Sequence, residues 1–401
     1  MSNETATPRR RFVRRAAAAA AAIAVAGLLL PGAAAVAQPK KIKVGLMLPY
    51  TGTYAALGNA ITNGFKLAVE EAGGKLAGLE VEYAVVDDES DPAKAPENAN
   101  RLLKRDQVDV LVGTVHSGVA IGMAKVVRGT KTIMLNPNAG ADEITGPLCA
   151  PNIFRTSFSN WQAGYATGKV MAADNHKTAV TLTWKYAAGQ QMADGFKEAF
   201  TEAGGKIIKE MTLPFPNVEF QPYLTEIAAL KPDAVFVFFA GGGAVKFVKD
   251  YAAAGLKDKI PLYGTGFLTD GTLEAQGAAA EGVRTALHYA ESLDTPRNKK
   301  FQEAYQKKYG AVADVYAVQG YDAAQLLRIG LEAVNGDVRN TEGMIKAMKN
   351  AVIDSPRGQW RVSKSHNPIQ DMYARVVQNG DNKVVGIAVK ALEDPGRGCK
   401  M

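Results

Sequence analysis

Cysteine is almost missing from this chain: two residues in 401. Two thiols exclude a disulfide-dense scaffold. They also exclude a cysteine-rich zinc module, which needs four ligands at short spacing. Histidine is nearly as scarce. His116, His176, His288 and His366 form no i, i+4 pair and no H-E-x-x-H motif. There is no G-x-S-x-G, and neither Gly241-Gly242-Gly243 nor Gly264-Thr265-Gly266 continues as G-x-G-x-x-G. An enzyme is therefore not expected, nor a metal, nor a cofactor. Past residue 37 no apolar run approaches the ~18 residues of a membrane-spanning helix.

What is present reads as globular: 47% hydrophobic and 22% charged residues. The length suggests two or three domains at roughly 150 residues each. A net charge of +7 invites a nucleic-acid or membrane-surface reading until its location is considered. Arg9, Arg10, Arg11, Arg14 and Arg15 form a basic head, followed by an apolar run from Ala16 to Leu30 and a small-x-small site at Ala35-Val36-Ala37. That is the grammar of an export signal cleaved after residue 37. Arg9 to Arg14 also matches the twin-arginine pattern; an ordinary arginine-rich signal is the other reading. With Glu4 the head carries +4, so subtracting it from +7 leaves +3 on the remaining chain. No basic cluster interleaved with aromatics remains, so nucleic acid is not expected as a partner. No cysteine follows the apolar run, so no lipid anchor is expected. A soluble periplasmic protein, secreted through the inner membrane, is.

Apolar runs of strand length alternate with segments of helical spacing. Strands are expected at 42–48, 79–86, 108–112 and 131–135, with helices at 58–71, from Asp91-Pro92 to 105, and up to 128. The grammar restarts near residue 160. Helices are expected at 161–173, 189–203, 219–230 and 244–254, and strands at 178–184, 206–212, 234–239 and 260–264. Such alternation argues for parallel sheets covered on both faces. A local repeat supports duplication. Glu71-Ala72-Gly73-Gly74-Lys75-Leu76 returns as Glu202-Ala203-Gly204-Gly205-Lys206-Ile207, 131 residues later. Asp109-Val110-Leu111-Val112 is echoed by Asp233-Ala234-Val235-Phe236, 124 residues later. After a segment at 283–290 come helices near 297–309 and 315–334, then strand-like stretches at 359–362, 372–378 and 384–389.

The chain past residue 37 resembles the periplasmic solute-binding proteins of branched-chain-amino-acid-type ABC transporters. The resemblance rests on Val44-Gly45-Leu46-Met47-Leu48-Pro49-Tyr50-Thr51-Gly52, on Gly58 and Gly64, and on Val85-Val86-Asp87-Asp88. It continues in Gly113-Thr114-Val115-His116-Ser117-Gly118, Phe154-Arg155-Thr156-Ser157 and Gly320-Tyr321-Asp322-Ala323, in order over some 330 residues. It implies the type I periplasmic binding fold: α/β, with two similar Rossmann-like lobes, parallel sheets and three crossovers. Mapped here, lobe one is 38–157 plus 290–368 and lobe two is 158–289 plus 369–401. It also implies an ABC permease as partner, or a receptor if the module is a sensor. A monomer is expected.

Ligands of open α/β sheets sit beyond the carboxyl ends of strands. The loops there present Tyr54, His116, Ser117, Asn136, Asn138, Trp184, Tyr186, Gly241 and Phe267, with Trp161 just past the first crossover. Ser117 opens a helix and can hold a carboxylate together with free amides, or simply cap. His116 can donate to the same anion or act as a local cap. Asn136 and Asn138 are neutral donors, or turn residues. Amino-acid binders of the family place an acid just after the first crossover; here Asn160 and Trp161 stand there. In lobe two Asp270 is the nearest acid. An ammonium buried without a counter-charge costs several kcal/mol. The aromatic candidates instead suit a planar ring. The expected ligand is an aromatic carboxylate of benzoate, hydroxybenzoate or hydroxycinnamate type; an aliphatic amino acid is the alternative. Cys149 and Cys399, an even pair in an oxidising compartment, read as one disulfide, or else as two free thiols.

Overall fold

The computed structural model describes residues 41–401. The expected export head, 1–37, with its twin-arginine reading, lies outside the described residues.

The first run of elements is β1 (Lys41–Leu48), α1 (Ala55–Glu71), β2 (Lys75–Leu76), β3 (Leu79–Asp87), α2 (Ala95–Asn100), β4 (Val110–Val112), α3 (Ser117–Val127), β5 (Ile133–Asn136), α4 (Asp142–Thr145) and β6 (Ile153–Arg155). Its six strands form one sheet in the order β2-β3-β1-β4-β5-β6, parallel except for β2. Both faces are covered, and alternate residues show it. Leu46, Val112 and Leu135 join one apolar cluster with Ile61 and Phe65 of α1. Met47, Leu111 and Met134 join another with Ala99 of α2 and Met123 of α3. The helix expected from Asp91-Pro92 begins later, at Ala95. Asp91 instead spends its carboxylate on the Ala93 amide, 2.9 Å away, in a turn that uses Pro92 before the helix starts.

The second run is α5 (Asn160–Ala173), β7 (Thr178–Trp184), α6 (Ala187–Glu202), β8 (Lys206–Leu213), α7 (Gln221–Leu230), β9 (Ala234–Phe238), α8 (Gly241–Ala253), β10 (Leu262–Thr265), α9 (Leu273–Gln276) and β11 (Arg284–Leu287). There follow α10 (Pro296–Tyr309), α11 (Val315–Ala333), α12 (Thr341–Met348), β12 (Val352–Ile353), β13 (Trp360–Val362), β14 (Pro368–Gln378) and β15 (Asp381–Leu392). The second sheet has nine strands, ordered β12-β13-β14-β11-β10-β9-β7-β8, with β15 on β14. It is not parallel throughout, as had been expected: β14 runs against β11, and β15 against β14. The return of β15 on β14 comes from the two-residue loop Asn379-Gly380, with φ of 55° and 76°, which folds the chain straight back on itself.

Both runs pack a helix pair through glycine. A Cβ at Gly64 of α1 would overlap the carbonyl of Ala317 in α11, and one at Gly320 would overlap that of Ile61. In the second run a Cβ at Gly164 of α5 would overlap the carbonyl of Met192 in α6. α5 itself starts with a capping box. Ser159 Oγ accepts from the Gln162 amide, and Gln162 Oε1 accepts from the Ser159 amide. Among the described residues no helix is long and apolar enough to cross a membrane.

Candidate functional site

A small cavity of about 20 Å³ lies at the carboxyl ends of β4, β5, β7, β9 and β10. It is far below the ~300–1,000 Å³ usual for a ligand site, so a ring enters only if the walls part. Five helices begin at its wall, each contributing a residue at or beside its first turn. These are Ser117 of α3, Asn160 of α5, Ala188 of α6, Ala240 ahead of α8 and Tyr316 of α11. The first-turn amides of a helix have no intrahelical acceptor, and the helix dipole puts partial positive charge there. A small anion is the group such a site suits.

The other walls are apolar. Phe158 and Phe267 lie 4.6 Å apart between ring centres, and Phe267 lies 6.1 Å from Tyr316. Leu57, Val115, Met192 and Phe238 complete them. No Asp, Glu, Lys, Arg or His lines the cavity among the described residues. Nor does any cluster of three or more His, Cys, Asp or Glu there suit a metal.

Tyr54, Ser117, Asn138, Tyr186 and Phe267 are brought together in this wall, as their loop positions suggested. The Tyr54 and Tyr186 hydroxyls bond each other at 2.9 Å. Burial holds the hydroxyls of Tyr54, Tyr186 and Tyr316 well above the usual phenol range, so all three stay protonated and can donate. Ser117 Oγ accepts from Asn160 Nδ2 at 3.2 Å, which leaves its own proton free. Asn160 Nδ2 also donates to Gln191 at 2.8 Å, and Asn160 Oδ1, with no partner, faces the Cα of Gly140. Asn138 Nδ2 donates to Gln319 of α11 at 2.7 Å.

The other five sequence candidates sit elsewhere. His116 is the cap of α3: its Nδ1 accepts from the Gly118 amide at 3.1 Å, and its ring stacks behind Tyr186 at 4.4 Å. Burial lowers its pKa to about 4, so it is neutral. Asn136 is turned into its own loop, donating to the Ala139 carbonyl at 2.6 Å. Trp184 is core; its indole donates to Asn217 at 2.9 Å and its ring backs Tyr54 edge-on at 6.2 Å. Trp161 turns outward, donating to Glu198 at 2.9 Å and stacking on Tyr165. Gly241 starts α8 with φ of 55°, and a Cβ there would press on the Thr53 carbonyl behind the wall. Asp270 is also withdrawn, held by Arg375 at 2.6 Å.

Phe158, Asn160, Met192 and Tyr316 were not among the candidates. Two local signals mark two of them. Asn160 is the first residue after the capping serine of α5, and Tyr316 is the second after Asp314, whose carboxylate caps α11 at 2.9 Å from the Ala317 amide. The cysteines meet away from the cavity: Cys149 and Cys399 have Cα atoms 5.6 Å apart, the spacing of a disulfide.

Known proteins share this architecture. The family described as periplasmic binding protein matches residues 41–382. A Leu/Ile/Val-binding protein homolog of Brucella melitensis is 30% identical over 357 residues, covering 87% of this chain and 91% of its own. The crystal structure of an ABC-transporter solute-binding protein from R. palustris in complex with benzoate is 51% identical. It superposes with a TM-score of 0.88, covering 90% of this chain and 100% of its own. A solute-binding protein from Rhodopseudomonas palustris BisB5, in complex with 3,4-dihydroxybenzoic acid, is 34% identical with a TM-score of 0.84, at 89% and 99% coverage.

Proposed function

This chain belongs to the periplasmic binding protein family, and from that premise we propose that it captures a small aromatic carboxylate, of the benzoate or hydroxybenzoate kind, for an ABC importer. The observation that carries this reading is the cavity itself. It offers the starts of α3, α6 and α8 to an anion, the first amides of α5 and α11 being already bonded, with aromatic walls for a ring and no carboxylate for an ammonium. A zwitterionic amino acid would leave its ammonium unpaired there, at a cost of several kcal/mol. The benzoate-bound relative at 51% identity supports the same ligand class.

Ser117, with the amides that open α3, is placed to take the carboxylate, while Tyr54, Tyr186 and Phe267 surround the ring. Two lobes, 38–157 plus 290–368 and 158–289 plus 369–401, would close over it by a hinge motion. The closed form would then dock on a permease, with the protein a monomer in the periplasm. The Cys149–Cys399 bond would fasten the tail beside Trp161, where Arg397 reaches Glu198 at 2.9 Å.

A thermal-shift panel of benzoate, hydroxybenzoates, hydroxycinnamates, leucine and valine tests this. Ligand at 100 times its dissociation constant stabilises by about 2.7 kcal/mol. A shift with leucine or valine, and none with any aromatic acid, would sink the reading.

A further inference from the structure

The polar groups that line the cavity are nearly all engaged. Tyr54 and Tyr186 bond each other, Asn138 bonds Gln319, and Asn160 bonds Ser117 and Gln191. Two atoms are not: Asn160 Oδ1 at the start of α5, and the hydroxyl of Tyr316, which is 1% exposed and whose Oη has no partner. A buried hydroxyl without a partner is costly, and natural interiors almost always satisfy one. This one belongs to the cavity wall.

Its position is fixed. Asp314 caps α11 two residues earlier, α11 is locked on α1 through Gly64 and Gly320, and Gly271 leaves room beside the ring. A chain of neighbouring aromatic rings links it to the start of α5. At that end Gly140 touches both Asn160 and the ring of Phe158. Phe158 then neighbours Phe267 at 4.6 Å, and Phe267 neighbours Tyr316 at 6.1 Å. The wall therefore runs polar, aromatic, polar: Ser117 and Asn160, then Phe158 and Phe267, then the unpaired phenol.

We propose that Tyr316 is a specificity-determining residue that bonds a hydroxyl on the ligand's ring, opposite a carboxylate held at Ser117, so that the preferred ligands are ring-hydroxylated benzoates such as 4-hydroxybenzoate. This rests on the aromatic-carboxylate reading above and narrows it. A phenol on the ligand can both donate to and accept from Tyr316. An unsubstituted ring leaves that hydroxyl unpaired, and a site built around a ligand hydroxyl discriminates against the analogue lacking it.

The test is isothermal titration of the full signal-free chain with benzoate, 3-hydroxybenzoate and 4-hydroxybenzoate, in wild type and in Tyr316→Phe. Wild type should bind 4-hydroxybenzoate about tenfold more tightly than benzoate, a comparison that needs no variant. Tyr316→Phe should weaken 4-hydroxybenzoate about tenfold and leave benzoate within about twofold. Equal losses for both ligands would place Tyr316 on the carboxylate and overturn the proposal. So would a wild type indifferent to the ring hydroxyl, while leaving the aromatic-carboxylate reading intact. If no aromatic acid binds wild type, both readings fall together.

Discussion

Away from the cavity, two arginine–aspartate pairs are fully buried; the cavity wall itself has no charged side chain among the described residues. Arg357 donates to the carbonyls of Thr156 and Ser157 at 2.8 and 3.1 Å. Its Nε lies 2.9 Å from Asp322 as an ion pair, not an aligned hydrogen bond. Arg375 donates to Tyr289 at 2.6 Å, Gly266 at 3.1 Å and Asp270 at 2.6 Å. These guanidiniums tie residues far apart in sequence by donating to backbone carbonyls. The contrast teaches how one interior serves two ends. Where geometry must be held, charge is buried and saturated with partners; where an anion is to be received, helix dipoles do the attracting. No fixed charge then has to be desolvated when the ligand arrives.

Arg357→Met breaks the first half of that comparison and should have the largest effect. It would leave Asp322 buried with only neutral partners, Ser355 and Trp360 at 2.9 Å each and Gln325 at 3.2 Å. Removing one member of a buried pair costs about 3–5 kcal/mol. The urea midpoint should fall accordingly. A loss under 1 kcal/mol would mean that Asp322 is protonated or reached by water, and that the network is not held by charge.

Ser117→Ala probes the other half. It removes one hydroxyl donor from the start of α3 while the helix amides stay. The expected loss is about tenfold in affinity for an aromatic carboxylate, near 1.4 kcal/mol, the value of one charge-assisted hydrogen bond. Titration calorimetry reads it directly, and unchanged affinity would remove Ser117 from the site.

A smaller effect should appear in the pH profile. Glu291 and Asp314 are both raised to about 7, chiefly by burial; the charge of Asp270 adds to the shift of Glu291, and that of Glu291 to the shift of Asp314. Their folded pKa values exceed the unfolded ones, so the fold favours the protonated forms. That contribution is complete below about pH 4 and is lost as pH rises through 7. Stability should therefore drop between pH 6 and pH 8, by about 1 kcal/mol for Asp314 alone. Asn caps a helix as well as Asp does, so Asp314→Asn should keep α11 while flattening that slope. A slope identical to wild type in urea melts would show that Asp314 is already ionised.

Much of the fold was legible in the sequence because parallel strands buried on both faces read as short apolar runs between helical segments. The order of the site-bearing loops followed from the same pattern, and with it Tyr54, Ser117, Asn138, Tyr186 and Phe267. What was not legible is side-chain direction. Phe238 ends β9 and Phe239 follows it directly, yet Phe238 lines the cavity and Phe239 packs on Phe247 in the core. Trp161 and Asn160 are adjacent at the start of α5, yet only Asn160 faces inward. Tyr316 lies 130 residues past Tyr186 and reaches the cavity only because α11 packs back on α1. The antiparallel return of β14 and β15 did have a local signal in Asn379-Gly380, a dipeptide suited to a two-residue hairpin.

The smallest effect is expected at the residue that sequence reasoning placed closest to the ligand. His116 adjoins Ser117, but its Nδ1 is occupied by the Gly118 amide and its ring lies against Tyr186, on the far side from the cavity. With its pKa lowered to about 4 by burial, it has no charge to offer a carboxylate at neutral pH. Asn can accept from the same amide. His116→Asn should therefore keep aromatic-acid affinity within about twofold, while losing the stack on Tyr186, worth about 0.5–1.5 kcal/mol of stability. The pH dependence should separate the two roles. Because folding favours neutral His116, wild type loses stability from this group as pH falls from 6.5 toward 4, and the variant should be spared that loss. A tenfold drop in affinity with stability unchanged would instead put His116 on the ligand, as a neutral donor in the cavity wall.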